Sequence, residues 1–235
     1  MSDLDAIGAA EGVLRICKMC DVPAVIAINS EATLAGPLLK TFLDAGEGHD
    51  FIAPDQTLDV ITPNTLLIVV DTYQKRLLES QQIYEKCKRV VVIDHHRMAV
   101  GHIDNPLLLY HEPYASSASE LTTELLQYAV DKSDVLPIEA KSLLAGIFLD
   151  TKSFNVRTGE RTFEAAAYLR QLGADPVEVK VLLQNDFQDT MAKYQIIRSA
   201  RLYRQEIAIA ALNAATSRVL AAQAADELLN ISGLS

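Results

Sequence analysis

In Val90-Val91-Val92-Ile93-Asp94-His95-His96-Arg97, a run of β-branched residues ends in one acid and two adjacent histidines. Such an apolar run is typical of a strand buried inside a parallel sheet. The polar residues should then emerge at the carboxyl end of the strand, which is the edge where open α/β sheets bind their ligands. The stretch therefore predicts a strand with a functional site at its end.

Acidic residues recur at the ends of other apolar segments. Leu66-Leu67-Ile68-Val69-Val70 runs into Asp71, and Ala145-Gly146-Ile147-Phe148-Leu149 runs into Asp150. Asp3 and Asp5 open the chain, directly before a helix-like segment. A single aspartate after a strand is more often a helix cap, and two adjacent histidines also fit a polar loop. Taken together, these acids and histidines predict one assembled metal centre.

The order of the predicted segments indicates the fold class. Up to residue 96, predicted helices at 6–19, 34–45 and 75–86 alternate with strands at 23–28, near 51–52, at 66–70 and at 90–93. The residues around Pro54 and Pro63 are predicted to form a loop. This alternation predicts an α/β fold, with a parallel sheet and helices on both faces.

The second half of the chain is predicted to be mainly helical. Ser117, with Glu120 three residues later, fits a capping box at the start of a helix. Pro137 fits the first turn of a helix that runs to residue 149. We predict an α/β domain over residues 1–190, a linker helix over 191–205 and the beginning of a second domain over 206–235. The last segment supplies one strand and one helix, which is too little to bury a core independently.

The amino-acid composition restricts the classes of molecule that the chain is expected to bind. The chain has 235 residues, of which 49% are apolar, and a formal net charge of −10. Long nucleic acid is an unexpected partner because it needs a cationic surface, whereas a small anionic substrate is compatible with bound metal ions that reverse the local charge. Cys17 and Cys20 lie in a helix-like segment and fit ordinary cysteines of a reducing cytosol. No apolar run reaches the ~18 residues of a membrane span, so we expect no membrane contact within this chain.

The acids and one histidine are predicted to bind two cations. Hard divalent cations favour carboxylates, and an imidazole shifts the preference from Mg²⁺ towards Mn²⁺, Fe²⁺ or Zn²⁺. Two ions about 3.5–4 Å apart bind a water between them and lower its pKa. One carboxylate must bridge the ions, and we assign that role to Asp71. The predicted ligands are Asp3, Asp5, Asp71, His95 and Asp150.

The neighbouring residues are assigned to substrate. His96 is predicted to face a phosphate as a hydrogen-bond donor or general acid, and Asp94 to orient an imidazole. Arg97 fits a phosphate contact and a surface arginine equally well. The three remaining histidines, which show no ligand spacing, are predicted to be surface or loop residues: His49, His102 and His111.

The ordered set of motifs resembles the DHH phosphoesterases and, among them, the GdpP-type cyclic-di-AMP phosphodiesterases. Asp94-His95-His96 looks like the signature of that family. The triplet alone is weak, but the resemblance covers nearly the whole chain and the ordered set is specific. The other stretches that carry it span residues 3–9, 67–72, 112–120, 145–152 and 156–165.

The resemblance implies a two-Mn²⁺ site, with Mg²⁺ or Fe²⁺ as alternatives, that opens cyclic-di-AMP to linear pApA. By position, the five predicted ligands match the metal ligands of the family, and His96 matches its substrate-facing histidine. We expect Arg97, Ser116 and Ser117 to contact the substrate. In the family the catalytic module is usually cytoplasmic and follows a membrane anchor, a PAS domain and a degenerate GGDEF domain, so we expect a cytoplasmic module, and we expect a homodimer.

The chain departs from the family pattern at three places. The histidine of the family motif H-x-x-x-D-x-D, at the end of a first strand, would fall upstream of Met1. No Gly-Gly-Gly-His loop of the second domain, DHHA1, follows Leu229. Asp71-Thr72-Tyr73-Gln74-Lys75 stands where the family often has Asp-Thr-His-Arg-Pro. We therefore expect an incomplete catalytic module. The alternatives are a DHH nuclease for very short oligonucleotides and a non-catalytic nucleotide-binding regulatory domain.

Overall fold

The computed structural model describes residues 2–98, 100–184, 186–204, 206–212 and 215–234. The chain divides into two compact units, residues 1–183 and residues 184–235. Within the described residues, no helix is long and apolar enough to cross a membrane.

The strands of the first unit form two small parallel sheets. β1 (Ile26–Ala27) pairs with β2 (Phe51–Ile52), and β4 (Arg89–Asp94) lies between β3 (Leu66–Val70) and β5 (Leu108–His111). Both pairs of the larger sheet are parallel, with Val70 opposite Ile93 and Asp94 opposite His111. The predicted parallel α/β architecture is confirmed, although the predicted strand at 23–28 is reduced to two residues.

The larger sheet has helices on both faces. Val69, Val90 and Val92 pack on one face with Tyr84 of a helix, and the alternate residues Ile68 and Ile93 face the opposite way. Alternate residues of a strand point to opposite sides, which explains this division. The helices of the unit are α1 (Leu4–Met19), α2 (Gly36–Asp44), α3 (Pro54–Val60), α4 (Gln81–Lys86), α5 (Ala118–Ala129), α6 (Pro137–Asp150), α7 (Glu160–Gln171) and α8 (Pro176–Leu182).

Local signals explain where several of these helices begin. Ser117 caps α5, since its side chain accepts a hydrogen bond from the amide of Glu120. Proline occupies the first turn of α6, as expected for a residue that lacks an N–H. The same signal was misread at Pro54, where the predicted loop is α3. The predicted helix at 75–86 is interrupted, because α4 starts at Gln81 after the capping residue Ser80.

The main core forms where α1 packs against α6 and α5. Two glycines allow the close approach of α1 and α6. A Cβ on Gly8 would lie 2.5 Å from the backbone oxygen of Ser142, and a Cβ on Gly146 would lie 2.7 Å from Oδ1 of Asp5. Any larger residue at these positions would push the two helices apart, so the glycines set the distance between the two acidic helix ends.

A cavity of about 1270 Å³ lies between β1 and β3. Apolar residues of α1, β1 and β3 form much of its wall, and Asp71 and His96 lie at its surface as well. β1 and β3 do not pair with each other in the described residues. The cavity therefore separates the two sheets and reaches the polar edge of the larger one.

The described residues of the second unit form two helices and one hairpin. α9 (Phe187–Ser199) is followed by the antiparallel strands β6 (Ala200–Tyr203) and β7 (Ile207–Ala210) and by α10 (Arg218–Leu229), capped by Ser217. The predicted linker helix at 191–205 is wrong in its second half, because the helix ends at Ser199 and the hairpin begins at once. The assignment of this unit to the beginning of a second, substrate-binding domain stays a prediction.

Candidate metal centre

Four elements of the first unit deliver acidic or imidazole groups to one place. β3 ends immediately before Asp71, and the neighbouring strand β4 ends immediately before His95. Because these strands are parallel neighbours, their carboxyl ends meet. Asp5 lies in the first turn of α1, and Asp150 is the last residue of α6. Helix ends and strand ends thus converge at one edge of the sheet.

His95 is at the centre of the cluster. Its Nε2 lies 3.1 Å from Oδ2 of Asp150, 3.4 Å from Oδ1 of Asp71 and 3.8 Å from Oδ2 of Asp5. His95 and Asp5 are buried. Nε2 of His95 and Oδ1 of Asp71 have no hydrogen-bond partner among the described residues. Three carboxylates facing one buried imidazole nitrogen form a donor set that fits a divalent cation.

The potential ligand atoms fall into two groups that share His95. One group contains Asp5, His95 and Asp150, and the other contains Asp71, Asp94, His95 and His96, with ligand atoms within 4.8 Å of one another in each group. An imidazole nitrogen has one lone pair and cannot bridge two cations, so a bridge would need a carboxylate. Asp71 is near enough to Asp5 and Asp150 for both to perturb its titration. This is compatible with Asp71 as the bridging ligand.

Burial and mutual repulsion perturb the titration of these acids. Burial, and then the neighbouring charge of Asp150, raise the pKa of Asp5 to about 6. Burial, and then the charge of Asp5, raise the pKa of Asp71 well above its usual range. Burial also raises the pKa of Asp3. Bringing several carboxylates together favours protons or a cation, because either one reduces the repulsion.

The same carboxylates favour the charged form of the His95 imidazole. Burial opposes a charge on His95, but the carboxylates of Asp150 and Asp71 outweigh it and raise the pKa to about 10. A metal-ligating histidine must be neutral. A divalent cation would therefore displace a proton from His95, and its binding would strengthen as pH rises.

Backbone groups hold Asp5 and Asp71 in position. The amides of Ala118 and Ser119, at the start of α5, donate to the two carboxylate oxygens of Asp5, each at 2.8 Å. Asp71 has φ +60°, a left-handed conformation that aspartate tolerates better than most residues. Its amide still donates to the carbonyl of Ile93 at 2.9 Å, so the strand pairing continues up to the turn. Strained conformations of this kind concentrate at functional sites.

Asp3 is less directly placed than the other predicted ligands. Its Oδ1 accepts hydrogen bonds from the amides of Asp5 and Ala6, so it is the N-cap of α1. Asp3 is in neither of the two ligand groups, although the charge of Asp150 contributes to raising its pKa. A ligand role for Asp3 therefore stays a prediction, and the cap explains part of its position.

The residues assigned to substrate differ in accessibility. Nδ1 of His96 lies 2.8 Å from Oδ1 of Asp94, and the imidazole is half exposed. Asp94 is buried and its Oδ1 also accepts the amides of His95 and His96, at 2.9 and 3.2 Å. Asp94 therefore contacts an imidazole, and its orienting role stays a prediction. Arg97 is exposed beside it.

The two serines of the predicted substrate set are buried. The hydroxyl of Ser117 caps α5, and that of Ser116 donates to Oε2 of Glu120 at 2.6 Å. The carboxylate of Glu120 thus accepts a hydrogen bond from Ser116, whereas a capping box would place it on the capping residue Ser117. Both serines are fully inaccessible, so the structure assigns them to shaping the start of α5, where the amides that hold Asp5 are located.

Sequence reasoning missed other residues around the site. His111 was predicted to be a surface or loop residue, but it ends β5 and its Nε2 lies 2.5 Å from the carbonyl oxygen of His96. Tyr73 is buried and its hydroxyl donates to the carbonyl of Arg97. Nothing in the local sequence pattern predicts either contact, because both depend on how β3, β4 and β5 pair.

The chain matches known proteins along nearly its whole length. Residues 1–147 match the family described as DHH family, N-terminal domain. The chain is 42% identical over 237 residues to the cyclic-di-AMP phosphodiesterase GdpP of Geobacillus thermodenitrificans, and 38% identical over 239 residues to the cyclic-di-AMP phosphodiesterase PdeA of Listeria monocytogenes. Each match covers 99% of this chain but 36% of the relative. The chain thus spans little more than a third of the length of these curated relatives.

Solved structures support the fold. An exopolyphosphatase-related protein from Bacteroides fragilis superposes with a TM-score of 0.75 over 98% of this chain and 70% of its own, at 17% identity. A putative family II inorganic pyrophosphatase from Methanococcus jannaschii superposes with a TM-score of 0.53 over 83% of this chain and 59% of its own, at 23% identity. These likenesses establish shared architecture. The family match over residues 1–147, more than half of the chain, shows that the chain belongs to the DHH family.

Proposed function

We propose that this chain contains the catalytic site of a phosphodiesterase that hydrolyses cyclic-di-AMP to linear pApA. The observation that carries the proposal is the convergence of Asp5, Asp71 and Asp150 on Nε2 of His95. The names of the relatives that match along nearly the whole chain support the substrate.

The residues that would hold two divalent cations are Asp5, Asp71, His95 and Asp150, with Asp3 as a further candidate. We propose Mn²⁺, because carboxylates combined with an imidazole favour it over Mg²⁺, and Fe²⁺ fits the same donors. When bound, such cations supply an activated water and neutralise charge that develops on the phosphate. They would also reverse the negative potential of the site, which otherwise repels a substrate with two phosphates.

His96 is proposed to act on the substrate directly. It is the half-exposed imidazole of the pair, and Asp94 holds it through Nδ1 and so leaves Nε2 available. In the reaction, a water oxygen forms a bond to phosphorus and the bond from phosphorus to the 3′ oxygen breaks. His96 would donate a hydrogen bond to the phosphate or a proton to the leaving oxygen. Arg97 is proposed to contact a phosphate oxygen.

The remaining expectations about the whole protein are proposals of the same kind. We propose a homodimer in which the second unit begins the substrate-binding domain. We also propose that the module functions in the cytoplasm behind a membrane anchor. These proposals follow from the family resemblance, and analytical ultracentrifugation of the chain would test the homodimer.

The function is tested by incubating the protein with Mn²⁺ and, in parallel, with cyclic-di-AMP, cyclic-di-GMP, pApA and a short oligonucleotide. We expect cyclic-di-AMP to be opened to pApA, and Asp71→Ala to abolish the reaction. The same reactions with the metal chelated should stop. Hydrolysis of the oligonucleotide with cyclic-di-AMP intact would favour the nuclease instead, and tight binding of cyclic-di-AMP without product would favour a regulatory domain.

A further inference from the structure

We propose that Tyr73 and His111 are positioning residues that fix the direction of His96 and Arg97. Each donates a hydrogen bond to a main-chain carbonyl of the turn that follows β4. The inference rests on the proposed function, because it assigns these two residues to the same phosphodiester site. Neither belongs to the predicted ligand or substrate set.

Tyr73 makes hydrogen bonds with Arg97 and with Ile103, two residues that follow β4 in the chain. Its hydroxyl donates to the carbonyl of Arg97, while its own carbonyl accepts the amide of Ile103 at 2.8 Å. The side chain is 2% exposed, so the hydroxyl is fixed inside the structure. A buried tyrosine hydroxyl normally keeps its partner. Tyr73 therefore connects both Arg97 and Ile103 to the residues after β3.

His111 fixes the preceding carbonyl from the neighbouring strand. It pairs with Asp94 at the end of β5. Its Nε2 lies 2.5 Å from the carbonyl oxygen of His96, and because a carbonyl can only accept, Nε2 must be the protonated nitrogen. The ring packs edge-on against Tyr73, with centroids 5.8 Å apart and planes at 83°. The two donors thus form one contact pair beneath the turn.

Hydrogen bonds from two sides therefore hold the turn that follows β4. Asp94 accepts the amides of His95 and His96 and contacts the ring of His96, while His111 and Tyr73 hold the following carbonyls. Fixing two successive peptide planes fixes the direction in which the His96 and Arg97 side chains leave the backbone. A misplacement of about 1 Å at a reacting group can cost on the order of 100-fold in rate. His95 contacts the buried acids independently of these donors, so its metal role should persist without them.

The test compares Tyr73→Phe and His111→Leu with wild-type protein in Mn²⁺-dependent hydrolysis of cyclic-di-AMP. Each change removes a donor but keeps a side chain of similar bulk. We expect kcat to fall about 10- to 100-fold, as for other residues that orient a metal site from outside it. The amount of bound Mn²⁺ should stay close to the wild-type value, because neither donor contacts His95 or the acids around it. His111→Gln, whose amide can donate from nearly the same position as Nε2, should recover most of the lost rate.

Controls separate this role from general stability and from the proposed function. Tyr128→Phe removes a hydroxyl from a side chain that is 92% exposed, and it should match wild type. Loss of bound Mn²⁺ in Tyr73→Phe or His111→Leu, or no recovery in His111→Gln, would overturn the positioning role. Unchanged kcat in both donor variants would also overturn it while leaving the phosphodiesterase intact. A wild-type protein without activity on cyclic-di-AMP would instead overturn the proposed function, and the inference with it.

Discussion

At the scale of single residues, two adjacent histidines have different environments. His95 is buried against three carboxylates, whereas the imidazole of His96 is half exposed and contacts Asp94. Their order in the sequence cannot distinguish them, but burial does. A buried imidazole among acids suits a cation, and an accessible one suits a substrate phosphate.

This difference predicts separate effects of mutation. His96→Ala should lower Mn²⁺-dependent hydrolysis by about 100- to 10,000-fold, the usual contribution of a general acid or base. The bound Mn²⁺, measured by elemental analysis after gel filtration, should be unchanged, because His96 is not the imidazole that faces Asp5 and Asp150. The matched change His95→Ala should lose metal. If His96→Ala were the variant that lost its metal, the two roles would have to be exchanged.

At the scale of helices and strands, the packing of α1 against α6 decides where the acids lie. Asp5 and Asp150 lie at the ends of these two helices, near the N-terminus of α5. Gly146 lies on the inner face, where a Cβ would approach Oγ of Ser119 to 2.2 Å and the Cα of Asp5 to 2.8 Å. The glycine is therefore a requirement of the metal centre as well as of the core.

Gly146→Ala should damage both stability and metal binding. Overpacking of this kind costs roughly 1–3 kcal/mol, and relief of the clash would displace the carboxylate of Asp5. We expect a lower melting temperature and weaker Mn²⁺ binding, measured by calorimetry. Gly36→Ala is the matched control, since a Cβ at this helical glycine meets nothing within 4 Å. Wild-type Mn²⁺ affinity in Gly146→Ala would contradict this account.

A second consequence of the same packing concerns Glu11. It is 3% exposed on α1, and its Oε1 has no hydrogen-bond partner in the described residues. Burial, and then the charge of Glu139, raise its pKa from 4.5 to about 8. Lys18 and Arg15 oppose this shift, and the charge of Asp50 adds to it. The raised pKa means that the native state prefers the protonated form.

The protein should therefore lose stability as the pH rises. The protonated form of Glu11 contributes fully below pH 4.5, and its contribution is lost as the pH increases through about 8. Glu11→Gln keeps the shape but cannot ionise, so it should be more stable than wild type by about 2–4 kcal/mol at pH 8 and by much less at pH 5. Urea denaturation at both pH values measures this, with the exposed Glu85→Gln as control. A difference that did not depend on pH would contradict the assignment.

At the scale of the whole molecule, the proposed metal ligands and His96, the histidine proposed to face the substrate, all lie in the first unit. Residues 1–183 contain the large core cluster and every residue of the two ligand groups. The second unit has few buried side chains, among them Ile196 and Ala224. A metal centre carried by the first unit should not depend on the second.

A chain shortened to residues 1–183 should therefore fold and bind Mn²⁺ as the whole chain does. We expect unchanged Mn²⁺ affinity by isothermal titration calorimetry. Affinity for cyclic-di-AMP should fall if the second unit begins a substrate-binding domain. Asp150→Ala in the same shortened chain controls for binding outside the site. Loss of Mn²⁺ binding on shortening alone would show that the second unit supports the centre.

Local sequence patterns predicted many of the helices and strands, and they drew attention to the acids and histidines at the ends of these elements. A run of β-branched residues ending in Asp94-His95-His96 predicts a buried strand and a polar edge, because both depend on local periodicity. Ser117 and Pro137 predict helix starts for the same local reason. Pro54 was misread, since a proline in the first turn of a helix and a proline in a loop look alike in a single sequence.

Only the tertiary structure decided which groups meet. Asp5 and the amides of α5 are more than 110 positions apart in sequence, and no local pattern predicts that the helix start would hold that carboxylate. The contact of His111 with the carbonyl of His96 likewise depends on the pairing of β5 with β4. Local sequence patterns reveal the hydrophobic periodicity and the capping residues of single elements. Contacts between distant residues depend instead on how closely the elements pack, and here glycines on α1 and α6 set that distance.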